Sequence, residues 1–239
     1  MAVSIDTVYQ RVLAIANKEQ RGYITPQEFN LFANQAQMNI FDEYFYDLNQ
    51  FSRIHGNDTG HADMLQVLEE KIAEFETHGG TVTSGTTLPT DLYRISSIYY
   101  SDGSSNVYPA QKITKKEFHE YRLSPLPLVT AARPVYIQHS TGINIYSAIS
   151  KTATTAITSN VKVNYIRKPA TAKWGYNVVL GNALHNSGAS YTTDFELHAS
   201  EETNLVNRIL QLAGIMMKDP NLYQTAATEE VKDTQQEKQ

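Results

Sequence analysis

Seven histidines carry much of the latent chemistry of this chain: His55, His61, His78, His119, His139, His185 and His198. No two stand three or four residues apart, the separation that puts two imidazoles on one helical face as metal ligands. The densest set of possible ligands, His55, Asp58, His61 and Asp63, falls around Gly56 and Gly60 and reads as a loop. Cysteine is absent, which removes disulfides and thiolate-bound zinc or iron–sulfur clusters. Neither a Gly-x-Ser-x-Gly elbow nor a glycine-rich phosphate loop occurs. The acidic neighbours Asp42–Glu43, Glu69–Glu70 and Glu201–Glu202 lie on expected helices. Adjacent helical side chains diverge by about 100°, so these pairs read as solvated surface and not as a general acid and base. No catalytic residue, metal ligand or cofactor is expected, and the chain reads as a non-enzyme. A nucleophilic triad drawn from distant positions would leave no such local trace.

The charges are segregated. Ten basic residues between Ala110 and Gly175 face only Glu117 and Glu120, a surplus of +8, which leaves −13 for the remainder of a chain of net charge −5. Three readings fit: a nucleic-acid surface, head-to-tail packing of one copy's basic part on the acidic part of the next, or plain solvated surface. The 15 tyrosines, against 8 phenylalanines and one tryptophan, suit subunit contacts or simply strands. No apolar run approaches the roughly 20 residues that cross a bilayer, and the first residues lack the layout of a signal peptide, so no membrane partner is expected.

Helices must position whatever the first third does. Ile5, Val8, Val12 and Ile15 space an amphipathic helix over 6–19. Thr25-Pro26-Gln27-Glu28 is a capping box with proline at the first helical position, and its helix meets no breaker before Gly56. Phe29, Phe32, Ala36, Ile40, Tyr44, Leu48 and Phe51 stripe one side. Phe41, Phe45 and Tyr46 exceed what that stripe holds, so they are expected to make a second contact, within the domain or, the favoured reading, with another subunit. A third helix spans about 62–76, and Gly79-Gly80 ends the region.

From Leu88 the pattern turns to short β runs. Leu92 to Tyr100, Val107-Tyr108, Val135-Tyr136-Ile137, Ile143 to Tyr146 and Val161 to Tyr165 predict one antiparallel sheet of five or six strands. Thr114-Lys115-Lys116-Glu117 is a second capping box opening a short helix. Lys162, Arg167 and Lys168, in the basic stretch, are expected interface residues. Trp174 to Thr193, with Tyr176, lacks a strong period and reads as a long loop or arm with a contact role. Ser200 caps a final helix striped by Leu205, Ile209, Leu212 and Met216. Beyond Pro220 a polar tail is expected to need a partner, with Glu229, Glu230 and Gln239 in its last stretch.

The fold class predicted is α+β: a helical region at 1–80, an antiparallel β region with its long loop at 81–193, and a C-terminal helix completing the bundle with an extended tail at 194–239. This order is similar to that of the head-to-tail connector proteins of short-tailed phages, the adaptor or tail-tubular-protein-A class. The likeness rests on Leu88-Pro89-x-Asp91 before a strand, Pro134-Val135-Tyr136 at a strand start, Tyr165-Ile166-Arg167-Lys168-Pro169 ending one, and the helix from Glu201. The stretch from Tyr9 to Leu48 also resembles virion structural proteins of crAss-like phages. The resemblance implies a homo-oligomeric, twelve-fold ring in the virion whose helical bundle grips the portal protein. It further implies a C-terminal tail inserted into a neighbour, a loop on the next tail protein, and genomic DNA passing through the lumen. A minor capsid, tail-tube or muzzle protein is the alternative within the virion, and a nucleic-acid-binding module the alternative outside it.

Overall fold

Both capping boxes form as their residues dictate. The Thr25 amide and hydroxyl donate to Glu28 Oε2 at 2.9 and 2.7 Å, and the Glu28 amide donates back to Thr25 Oγ1 at 3.3 Å. Thr114 and Glu117 repeat the arrangement at 2.6, 2.9 and 3.2 Å. Each box satisfies amides that the first turn of a helix leaves without partners. Pro26 then opens a helix of 28 residues.

The computed structural model describes residues 3–16, 24–53, 59–82, 87–103, 106–123, 129–140, 142–151, 153–188, 190–217 and 220–237, without the side chains of 51–53, 59–64, 215–217, 220–222 and 233–237. The His55, Asp58, His61 and Asp63 cluster, as side chains, and Gln239 lie outside the described residues. Two units divide the chain, an α+β arrangement: Met1–Glu74 joined with Pro169–Gln239, and the insert Phe75–Lys168. Residues 169–193 therefore belong with the helices and not with the β region, where the sequence placed them.

The helical unit contains α1 (Ile5–Ala16), α2 (Pro26–Arg53), α3 (Thr59–Ala73), α5 (Glu202–Met217) and α6 (Pro220–Glu237). Ile5, Val8 and Val12 of α1 are fully buried, as their spacing requires, whereas Ile15, expected on the same stripe, is exposed. The helix α2 packs on both α3 and α5. The expected extended tail is instead α6, folded back on α5. Gly214 permits that return, since a Cβ there would stand 3.0 Å from the Tyr223 amide nitrogen.

The insert contains β1 (Glu76–Thr81), β2 (Leu92–Ser101), β3 (Val107–Pro109), β4 (Gln111–Lys112), α4 (Lys115–Leu123), β5 (Val135–His139), β6 (Gly142–Ile149), β7 (Thr154–Ile157) and β8 (Val161–Arg167). These form two four-stranded sheets, ordered β1-β8-β2-β3 and β4-β5-β6-β7, and not the single antiparallel sheet expected. The pair β4–β5 is parallel. β3 forms where Val107-Tyr108 was expected, whereas β4 and β7, of two and four residues, are too short to show a period, which is why they were not legible. The sheets share one core, with Ile98, Val161, Val163 and Tyr165 from the first and Tyr136, Ile143, Ile145 and Ile157 from the second. Val135, Ile137 and Ile149 fill a second core with Phe118 and Tyr121 of α4.

Gly79 and Gly80 do not end the helical region; they lie in β1. Gly79 takes a positive φ of 69°, and a Cβ on Gly80 would stand 2.7 Å from the Tyr165 ring. The Leu88-Pro89-x-Asp91 segment is a clasp on the same tyrosine. Tyr165 Oη donates to Asp91 Oδ1 at 3.0 Å, and the Lys168 amide donates to the Asp91 carbonyl at 2.7 Å. Burial, and then the Asp91 carboxylate, pushes the Tyr165 phenol above its usual range.

The capping threonines hold both glutamates below the usual carboxylate range: Glu28 chiefly through the Thr25 hydroxyl, Glu117 chiefly through the Thr114 amide. A depressed folded pKa means that this stabilisation is present above the unfolded value, about 4.3, and disappears as pH falls through the folded one. Thr25→Ala should therefore raise the Glu28 pKa toward the ordinary value and lower stability at pH 7 more than at pH 3. Carboxyl titration by NMR and denaturant melts at the two pH values measure both effects.

Candidate interaction site

The helix α2 presents a ladder of side-chain amides at i, i+4 and i+7. Asn30 Oδ1 accepts from the Trp174 amide at 2.8 Å, and Asn30 Nδ2 donates to the Trp174 carbonyl at 3.3 Å. Asn34 Nδ2 donates to the Ala172 carbonyl and Gln37 Nε2 to the Ala170 carbonyl, both at 2.8 Å. Helical spacing on one side thus meets every second carbonyl of an extended segment on the other. Gln37, only 2% exposed, also accepts from the Glu196 amide at 3.3 Å, while Glu196 Oε2 accepts from the Ala170 amide at 2.7 Å. The polar stripe Asn30, Asn34, Gln37 was readable in the sequence, but nothing local says which backbone it holds.

Trp174 is the anchor that this ladder sets in place. Its ring is 2% exposed, its Nε1 donates to Asp6 Oδ1 at 2.9 Å, and its centroid lies 4.1 Å from that of Tyr9. His185 and Tyr176 stack on it at 5.5 and 5.8 Å. The neighbouring Gly175 admits no side chain, because a Cβ would sit 2.4 Å from the Tyr191 carbonyl oxygen. Trp174 is therefore core and not a contact residue.

On this base stands a hairpin, β9 (Tyr176–Val179) and β10 (Asn182–His185), where the sequence suggested a loop. Leu180 and Gly181 form its two-residue turn with φ of 51° and 83°, both left-handed, the primed geometry that matches the strand twist. Asparagine is the usual first residue of such a turn, and leucine in its place disguised it. Leu180 is 98% exposed in a conformation that costs a side chain bearing a Cβ about 1–2 kcal/mol. Val178, Val179 and Leu184 are 67%, 48% and 54% exposed. No Asp, Glu, Lys or Arg occurs from Trp174 to Thr193. The finger is apolar at its tip and rigidly held at its root.

The same region brings together Asp6, His185 and Thr192 in the order of a nucleophilic triad. His185 Nδ1 lies 3.8 Å from Asp6 Oδ1, and its Nε2 lies 3.4 Å from Thr192 Oγ1. The hydroxyl is otherwise engaged. It donates to the Asn186 carbonyl at 2.5 Å and accepts from the Gly175 amide at 3.2 Å. The Asp6 oxygen already accepts from Trp174. A proton directed at a carbonyl is not passed to the imidazole, so this set works as a clasp at the root of the hairpin.

The residues singled out as contacts separate into two groups. Phe41 is fully buried within its own unit, and Phe45 packs edge-on against it at 5.0 Å. Tyr46, 62% exposed, remains on the surface, as does Leu31. Lys162 and Lys168 are exposed, Lys162 on the side of β8 opposite the core. Arg167 is half-buried with its guanidinium over the Phe75 ring at 6.0 Å. Tyr176 is half-buried on Trp174. Glu229 is exposed and pairs with Lys232 at 2.7 Å.

Glu230 serves the fold and is not left for a neighbour. Arg208 Nε lies 3.2 Å from Glu230 Oε1, and its Nη2 donates to Glu43; Gln211 also donates to Glu230. The arginine ties α2, α5 and α6 together with only 12% of its side chain exposed. Glu201, read as solvated surface, is 1% exposed and paired with Lys71 at 2.6 Å, while Glu202 meets Arg11 at 3.0 Å. Their cationic partners come from α3 and α1, beyond the reach of local spacing.

Charge divides as the units do. The insert Phe75–Lys168 holds ten basic against five acidic side chains, a surplus of five, which leaves the helical unit ten net negative. Among the described residues no group of three acidic or histidine side chains is placed to hold a metal, and no helix is long and apolar enough to cross a membrane. No protein-family model matches the chain, and no curated protein matches it.

Two variants test the internal fastenings. Gln37→Leu leaves the Ala170 carbonyl and the Glu196 amide without their side-chain partner and should lower stability by about 1–3 kcal/mol. Deleting Glu229 to Gln239 removes the Arg208–Glu230 pair and should also destabilise the helical unit by about 1–3 kcal/mol. Denaturant unfolding of the full chain and each variant measures both. A deletion variant as stable as the parent would mean that α6 adds nothing to the unit.

Proposed function

We propose that the chain is a structural virion protein that assembles head-to-tail into a ring joining the portal of a phage capsid to its tail. The observation that carries this reading is the hairpin finger, an uncharged apolar tip with a left-handed leucine at 98% exposure, seated on a buried tryptophan. Side chains so placed stabilise nothing inside their own chain. Their burial against another surface is favourable by roughly 25 cal/mol per Å2 of apolar area. The partition of charge between the units supports association of unlike surfaces, which closes into a ring when the rotation between copies allows. The resemblance in the Leu88-Pro89-x-Asp91 and Tyr165 to Pro169 segments supports the same class of protein.

Negative-stain images and mass photometry of the full chain, alone and with its portal, should show rings of about twelve copies. Leu180→Asp should reduce ring formation at least about tenfold, since a carboxylate buried at a contact without a partner is strongly unfavourable. Circular dichroism should stay unchanged, because Leu180 makes no core contact. Raising salt from 50 to 500 mM should weaken rings held by the charge partition. A chain that stays monomeric with and without the portal would falsify this reading.

A further inference from the structure

The insert contains an open cavity of about 330 Å3 on the side of the β5–β6 hairpin that α4 covers. Its floor is aromatic. Phe118 and Tyr146 lie with ring centroids 5.0 Å apart at 40°, both half-buried. Its rim is cationic and polar: Lys115 and His119 from one face of α4, His139 from β5 and Asn144 from β6. No carboxylate lines it.

The rim groups are not used by the fold. Glu117, the nearest acid in sequence, is taken up in the Thr114 capping box, and Glu120 lies 3.8 Å from Lys116 on the next face of the helix. Among the described residues the side chains of Lys115, His139 and Asn144 have no hydrogen-bond or ion-pair partner. The core does not explain them either, since Val135, Ile137 and Ile149 complete it beneath. An amine, two imidazoles and an amide thus stand around an aromatic floor, within a unit carrying a surplus of five positive charges.

That combination selects a ligand with a flat π face and an anionic group. An apolar ligand would bury Lys115 without a counter-charge, and an acidic peptide would leave the rings uncovered. The volume sits at the small end of ligand cavities, about 300–1,000 Å3. We propose that this cavity binds a nucleotide, with its base over Phe118 and Tyr146, its edge at Asn144, and its phosphate at Lys115, His119 and His139. Stacking on aromatic side chains and a lysine on the phosphate are the general means by which proteins hold single nucleotides of a strand. The ligand is either a free nucleotide or one residue of a single strand. The inference is independent of the ring reading.

Calorimetric titration of the full chain at 50 mM salt with dTMP, inorganic phosphate and the single strand dT8 tests it. The base should make dTMP bind about tenfold tighter than phosphate. Lys115→Glu, which places an acid in the first turn of α4 where helices favour one, should weaken dTMP about tenfold or more. Lys151→Glu, an exposed lysine outside the cavity, should change it less than about twofold. With dT8 bound tighter than dTMP, and displaced by it, the site serves a strand; with equal affinities it serves a free nucleotide. Phosphate binding as tightly as dTMP, equal losses in the two lysine variants, or no binding of any of the three would overturn the proposal.

Discussion

The side-chain amides of Asn30, Asn34 and Gln37 hold the extended segment 170–174, and much of the helical unit depends on that contact. Lys173 exchanges backbone hydrogen bonds with Thr193, but the carbonyls of 170, 172 and 174 meet a helix and not a strand, and leaving them unpaired is costly. The amides meet this need at alternate residues, so the returning chain is fixed in register as it leaves the insert. Trp174 then falls between Tyr9 and the hairpin, and Asp194 reaches the Ile5 amide at 2.9 Å to fasten the start of α1. One polar contact thereby joins the two ends of a discontinuous unit and sets the root of its finger.

The rest of the polar interior follows the same logic. Arg208 between Glu43 and Glu230, and Lys71 against Glu201, are charges removed from water that endure because each has a partner. Such pairs specify which helix meets which more than they add net stability, a role suited to a bundle whose helices come from both ends of the chain. Against that closely determined interior, the exposed tip at Leu180 and the rim of the Lys115 cavity stand out as groups the fold leaves unused. Unused groups of opposite character, apolar on one unit and cationic on the other, are what give the two proposals their separate grounds.

The insert treats its charges differently. Nine of its ten basic side chains are exposed, and Arg167 alone is half-buried on an aromatic ring. Lys162 alternates with the core residues Val161 and Val163, so its position follows from strand geometry and carries no functional meaning by itself. Lys115 differs, because two rings, an amide and two imidazoles share its cavity. Grouping in space, and not basicity along the chain, is what separates a candidate site from a solvated surface.

What the sequence by itself determined was local. Thr25 with Glu28, Thr114 with Glu117, the Ile5, Val8 and Val12 part of the α1 stripe and the alternation of β8 act within three or four residues, and these formed as read, while Ile15 at the end of that stripe is exposed. The α+β class was legible for the same reason. The tertiary structure alone decided what covers the second face of α2, why Trp174 is buried, where Glu201 finds its cation, and that the strands divide into two sheets. Those contacts join residues as far apart as the 133 positions between Gln37 and Ala170 or the 168 between Asp6 and Trp174. Neither helical nor strand periodicity carries information over that range, because a stripe shows that a face is covered and not by what.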